Sequence, residues 1–189
     1  MNLADKISTL RILLIPVFVS LLCYFNHQHL HLRYVVIGVF AFAILTDFFD
    51  GLVARIKKEK SEIGKIIDPL ADKFLLLTAF ISLYALRLPL PLKFKLPLEV
   101  VLVVVSRDFI ILLGVIILHF LKIEIFISPS VWGKLTTFFQ MFTILGILVD
   151  FSFVPLIWTI AIIFTLISGI DYFVRGIKAI NGRVSSPNF

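Results

Sequence analysis

Residues 46–73 read TDFFDGLVARIKKEKSEIGKIIDPLADK, and this stretch decides how the chain is organised. It leaves one apolar run, crosses a short segment crowded with Lys and Glu, and enters another apolar run. That pattern predicts a helical hairpin whose turn lies in water and whose arms enter hydrocarbon. Asp47 and Asp50 are spaced i,i+3 and share one helix face. Asp68 and Asp72, spaced i,i+4, do the same on the returning antiparallel helix. The hairpin can therefore gather four carboxylates, out of only twelve Asp and Glu in 189 residues. Four unneutralised negative charges beside hydrocarbon are very costly. Hard divalent cations take oxygen ligands, so magnesium, manganese or calcium is the natural counter-ion. Gly51 and Gly64 permit close approach, Ala54 keeps the same face open, and Arg55 offers a planar fork for phosphate oxygens. The competing reading makes these residues boundary charges that pair with one another. Four carboxylates on two matched faces, with small residues between them, favour a phosphate ester beside metal.

The composition agrees with a membrane setting. Apolar residues make up 60% of the chain and charged residues 16%, against about 45–50% and about 25% in soluble domains. A secreted disulfide scaffold is excluded, because Cys23 is the only cysteine. A net charge of +6 would raise nucleic acid as a partner in a soluble protein. Here the basic residues punctuate apolar runs, so topology and anionic lipid account for them and no nucleic acid is expected.

Six segments have the length of about 20 apolar residues that a bilayer requires. They run from Leu10 to Phe25, Tyr34 to Phe49, Ile63 to Leu86, Leu96 to Phe120, Val131 to Val149 and Val154 to Val174. The first is basic and then apolar, as in a signal peptide, but no small-residue cleavage site follows it, so it reads as a retained helix. Pro16 is a candidate kink within it. No linker or repeat divides the chain, which predicts a single domain over residues 1–189. With six spans, one side collects twelve Lys and Arg at or beyond the span ends, Arg11, Lys65 and Lys134 among them, and the other collects Arg33, Arg87, Lys93 and Lys95. The positive-inside rule then puts both termini and the 46–73 hairpin in the cytoplasm. Lys73 and Arg107 are left within spans.

At this point the sequence resembles the CDP-alcohol phosphotransferases, whose signature is D-x2-D-G-x2-A-R-x8-G-x3-D-x3-D. Asp47, Asp50, Gly51, Ala54, Arg55, Gly64, Asp68 and Asp72 fill it without departure. The resemblance implies an all-α integral membrane fold of six transmembrane helices and a homodimer in the plasma membrane, with a site facing the cytoplasm. It implies that Asp47, Asp50 and Asp68 ligate Mg2+ or Mn2+, with Asp72 also at the metal site. Asp72 would be the general base on the acceptor hydroxyl, Asp68 being the alternative for that role. Gly51, Ala54, Arg55 and Gly64 would line the CDP pocket.

Other segments bear on the acceptor alcohol. MNLADKISTLRILLIP at the start, IIDPLADK at 66–73 and WGKLTTFFQ at 132–140 are similar to the phosphatidylglycerophosphate synthase branch. That branch transfers the phosphatidyl group of CDP-diacylglycerol to glycerol 3-phosphate with release of CMP; this acceptor is a dianion that needs cationic hosts, and Arg11, Arg107 and Lys134 are the candidates. Their rival fates are snorkelling to headgroups for Arg11 and Lys134, and an ion pair with Asp108 for Arg107. Ser106, Arg107 and Asp108 stand where those synthases commonly carry Gly-Arg-Glu, and look more like cardiolipin synthases, which use phosphatidylglycerol. A reading from another class is a cation or proton transporter, since intramembrane carboxylates often mark ion pathways. Transport predicts acidic groups at several depths, whereas these four share one level.

Smaller features carry no assigned chemistry. His27, His29 and His31 read as an interfacial loop, Asp171 has no assigned role, and residues 181–189 read as a frayed tail. The twenty Phe face lipid or pack the bundle. Trp132, Trp158, Tyr34 and Tyr172 suit interfacial belts.

Overall fold

The computed structural model describes the backbone of residues 3–57, 64–120 and 130–184, and the side chains of 10–46, 73–114 and 130–177. Within these the chain is all-helical: α1 (Leu3–Tyr24), α2 (Leu32–Lys57), α3 (Gly64–Ala85), α4 (Leu98–Phe120), α5 (Val131–Val149) and α6 (Val154–Val184). Each apolar segment read from the sequence has its helix, and α5 coincides with its segment. Pro16 lies inside α1, which continues through it. The helices α2 and α6 outrun their apolar segments, to Lys57 and Val184. Hydropathy reports only what lipid solvates, whereas the i→i−4 hydrogen bonds continue into polar sequence. The expectation of a frayed tail over residues 181–189 is corrected for residues 181–184, which belong to α6, while 185–189 lie outside the described residues.

Helix α1 packs on α2 and α3, α5 packs on α6 and α2, and α4 joins α3 to α6. One face of α1 buries Phe18 and Leu22, and Phe25 just past its end joins them, against Val36, Phe40 and Ala43 of α2 and Leu76, Ala79, Phe80 and Leu83 of α3. Ala43 and Ala79 are fully buried, and small side chains of this kind let helix backbones approach closely. In lipid that matters, because close packing replaces the missing hydrophobic drive. The outward residues are apolar too: Leu102, Phe109, Ile110, Leu156, Leu166, Ile170 and Phe173 are all exposed. A soluble monomer rarely carries such a surface. Among the described residues, Val131–Val149 and Val154–Ile177 are long and apolar enough to cross a membrane, and Leu10–Tyr24, Leu32–Thr46 and Lys73–Ala85 are shorter apolar stretches.

One end of the bundle is tied by a single carboxylate. Helix α5 closes with Asp150 in the left-handed region (φ 59°), where the Phe151 N–H reaches the Gly146 carbonyl and the Asp150 N–H that of Ile147. This is a Schellman closure formed without glycine. The Asp150 carboxylate accepts from the Lys93 N–H (2.7 Å) and pairs with Arg33 (2.7 Å). Arg33 Nε also donates to the Leu148 carbonyl at 2.6 Å, satisfying an end group of α5. The start of α2, the α3–α4 connection and the end of α5 therefore lie together. Where α6 begins, Val154 packs against Gly146.

Candidate functional site

Toward the middle of the bundle, charges that do not belong in hydrocarbon meet. Arg107 and Asp108 of α4 are 9% and 4% exposed. The Asp108 Oδ1 accepts from Arg107 Nη1 at 2.5 Å and from Lys73 Nζ of α3 at 2.6 Å. Arg107 Nη2 donates to Ser168 Oγ of α6 at 2.5 Å. Among the described residues two cations thus share one carboxylate, leaving a positive charge over beside the buried Arg107. Among the described residues Arg107 Nε and Asp108 Oδ2 have no hydrogen-bond partner. Buried ionic groups are normally fully paired. An unspent guanidinium N–H beside surplus positive charge is suited to an anion.

The fourth wall is the first turn of α5. Ser130 caps that helix, its Oγ accepting from the Gly133 N–H at 3.0 Å. A Cβ on Gly133 would lie 3.6 Å from both Arg107 Nη2 and Ser168 Oγ, and one on Gly169 3.6 Å from Arg107 Cγ. Small residues thus bring α5 and α6 against the guanidinium. Since Gly133 opens α5 while Arg107 and Ser168 lie well inside α4 and α6, the start of α5 is recessed into the bundle. Lys134, next in sequence, is exposed on that same turn. Below it, Gln140 and Thr165 face each other inside the α5–α6 contact (3.5 Å). Beside Arg107 an apolar groove of about 470 Å³ runs between α4 and α6, lined by Leu102, Ser106, Thr165, Gly169 and Phe173.

The eight signature residues lie outside the described side chains, but their backbone is helical over 47–55 and from Gly64 through 72. The i,i+3 and i,i+4 spacings therefore act as helix spacings. Lys73, which follows Asp72 directly, carries the end of that motif to Asp108. A family model described as CDP-alcohol phosphatidyltransferase matches residues 1–170. The chain belongs to the CDP-alcohol phosphatidyltransferase family. Relatives within it include the probable phosphatidylglycerophosphate synthase of Mycobacterium tuberculosis, 36% identical over 188 residues and covering 96% of this chain and 84% of the relative. The CDP-diacylglycerol–glycerol-3-phosphate 3-phosphatidyltransferase of Bacillus subtilis is 31% identical over 196 residues, covering 95% and 97%. A CMP-forming cardiolipin synthase of Rattus norvegicus is 42% identical, but over only 83 residues, 43% of this chain and 25% of the relative.

In this family member the three acceptor-site candidates have different surroundings. Arg107 has the ion pair with Asp108 that rivalled a binding role, yet its Nε has no partner among the described residues. Arg11 is 1% exposed on the α1 face that carries Phe18 and Leu22, so it turns inward rather than snorkelling to headgroups. Sequence reasoning missed Lys73 and Ser168. A signal existed for Lys73: it and Arg107 are the cations left within spans, Asp108 is an anion there, and such charges pair. Ser168 gave none, being one hydroxyl among several in apolar helices. Asp171 pairs with Arg175 one turn on, at 3.0 Å. Tyr172 packs toward Gly114 with a buried hydroxyl that has no partner among the described residues, which corrects its reading as an outward belt residue. Tyr34, 78% exposed, faces outward as a belt residue does. His27, His29 and His31 are exposed in the α1–α2 connection. Among the described residues no group of three or more His, Cys, Asp or Glu could hold a metal.

Proposed function

We propose that this chain transfers a phosphatidyl group from CDP-diacylglycerol to the hydroxyl of glycerol 3-phosphate, releasing CMP and forming phosphatidylglycerol phosphate. The observation that carries the acceptor is the surplus positive charge at Arg107, next to the recessed first turn of α5. A phosphate monoester is a dianion, and a guanidinium with a free N–H suits it. The names of the Mycobacterium and Bacillus relatives support the same reaction.

The donor side rests on the signature. Asp47, Asp50, Asp68 and Asp72 fit a hard divalent ion, because their donor atoms are all oxygen and their helical backbone gives each pair a common face. Bound Mg2+ or Mn2+ would supply positive charge against the pyrophosphate and the departing CMP. Arg55 engages the donor's phosphate oxygens, and Gly51, Ala54 and Gly64 leave room for the CDP group. Asp72 takes the proton of the acceptor hydroxyl, with Asp68 the alternative, as that oxygen bonds to the β-phosphorus and the bond to CMP breaks. Arg107, Lys134 and Arg11 hold the acceptor's phosphate, so that its hydroxyl is the end presented for reaction. We place the enzyme in the plasma membrane as a homodimer of six-span subunits, both termini and the site on the cytoplasmic side.

A second reading, cardiolipin synthesis, is favoured by the apolar groove beside Arg107, which suits a lipid acceptor better than a soluble one. Purified protein with CDP-diacylglycerol and Mg2+ or Mn2+ separates the two when each acceptor is offered alone. CMP release is expected with glycerol 3-phosphate, not with phosphatidylglycerol, serine or inositol phosphate, and is expected to stop in EDTA. Release with phosphatidylglycerol alone overturns the acceptor. Cation flux through liposomes without CMP release overturns the enzyme.

A further inference from the structure

We infer that Asp108 is a positioning residue that locks the Arg107 guanidinium to the signature-bearing helix α3 through Lys73. One carboxylate oxygen accepts from Lys73 Nζ and from Arg107 Nη1, and the Asp108 side chain is 1% exposed. Lys73 directly follows Asp72 on α3, while the other end of Arg107 is held by Ser168 on α6. A single chain of polar contacts, Lys73–Asp108–Arg107–Ser168, therefore crosses α3, α4 and α6. Its last pair lies under Gly133 of α5. The chain holds both Nη atoms and leaves Nε unspent, which is the arrangement of a guanidinium aimed in advance. Without Asp108, the Lys73 ammonium and the buried Arg107 guanidinium would face each other with no carboxylate between them and separate. The inference rests on the reading of Arg107 as a ligand of the acceptor phosphate; Asp108 itself touches no substrate.

Charge and position predict opposite signs here. Asp108→Asn removes a negative charge near an anion site, so net charge alone predicts a lower KM for glycerol 3-phosphate. Loss of position predicts a higher one, by about tenfold or more given the strength of charged hydrogen bonds. Initial rates with both substrates varied are measured for Asp108→Asn, Asp108→Glu, Ser168→Ala and Arg107→Gln in detergent. The expected result is a raised glycerol 3-phosphate KM in Asp108→Asn with the CDP-diacylglycerol KM unchanged. Partial recovery is expected in Asp108→Glu, and a smaller rise in Ser168→Ala, which reports on the same chain should Asp108→Asn not fold. An unchanged or lowered glycerol 3-phosphate KM, or equal changes in both KM values, overturns the inference. If Arg107→Gln itself leaves the glycerol 3-phosphate KM unchanged, the reading of Arg107 fails instead.

Discussion

Asp72 and Lys73 are adjacent in sequence but serve different ends of the proposed reaction. The carboxylate belongs to the signature; the ammonium turns to Asp108 and the acceptor side. Asp72→Asn keeps size and hydrogen-bonding capacity while removing the basic oxygen. General bases contribute about 10²–10⁴ in rate, so CMP release is expected to fall by at least about 10²-fold, with CDP-diacylglycerol binding retained in an equilibrium assay. Loss of binding and turnover together would make Asp72 a donor-site ligand first. Arg107 illustrates why a residue type alone does not reveal a role. Beside Asp108 in sequence it reads as a neutral pair, and only the second cation, from α3, changes the local sum.

Among the elements, α5 does the most to shape the site, because its short length recesses its first turn against Arg107. Its other end is fixed by Asp150, which both reverses the backbone and ties down Arg33 and Lys93. Asp150→Ala would force an ordinary side chain into the left-handed region and remove both contacts, a cost of about 2 kcal/mol. Asp150→Gly relieves the backbone and loses only the contacts, about 1 kcal/mol. Thermal unfolding in detergent should therefore rank native above Asp150→Gly above Asp150→Ala. Equal Tm values for the two variants would mean that the carboxylate, and not the backbone, holds this end. Gly146 serves the same hairpin: a Cβ there would meet Val154 Cγ2 at 2.6 Å, so α6 can start only where α5 carries no side chain.

For the whole molecule, the proposed topology puts the Arg33–Lys93–Asp150 end outside the cytoplasm. Cys23 is the only cysteine, so a Cys23→Ser background with Gln28→Cys, an exposed position in the α1–α2 connection, provides a clean probe. A membrane-impermeant maleimide should label intact cells expressing it; labelling only after lysis would reverse the orientation. Much of the architecture was legible beforehand, since lipid imposes one requirement, about 20 apolar residues per helical crossing, that composition meets or fails locally. The helix extensions to Lys57 and Val184 were not, because backbone hydrogen bonds do not stop at the lipid boundary. At the site, the carboxylate spacing at 47–50 and 68–72 could be read because i,i+3 and i,i+4 relations lie within one helix. By itself, then, the sequence determined the helical membrane class, the signature hairpin and the scarcity of charge that singles out Lys73, Arg107 and Asp108. Only the tertiary structure decided that these three share one carboxylate oxygen, that Ser168 joins them and that α5 begins at their level. Those relations connect residues up to 95 positions apart, from Lys73 to Ser168. They depend on how helices cross and how deep each starts, which no local spacing encodes.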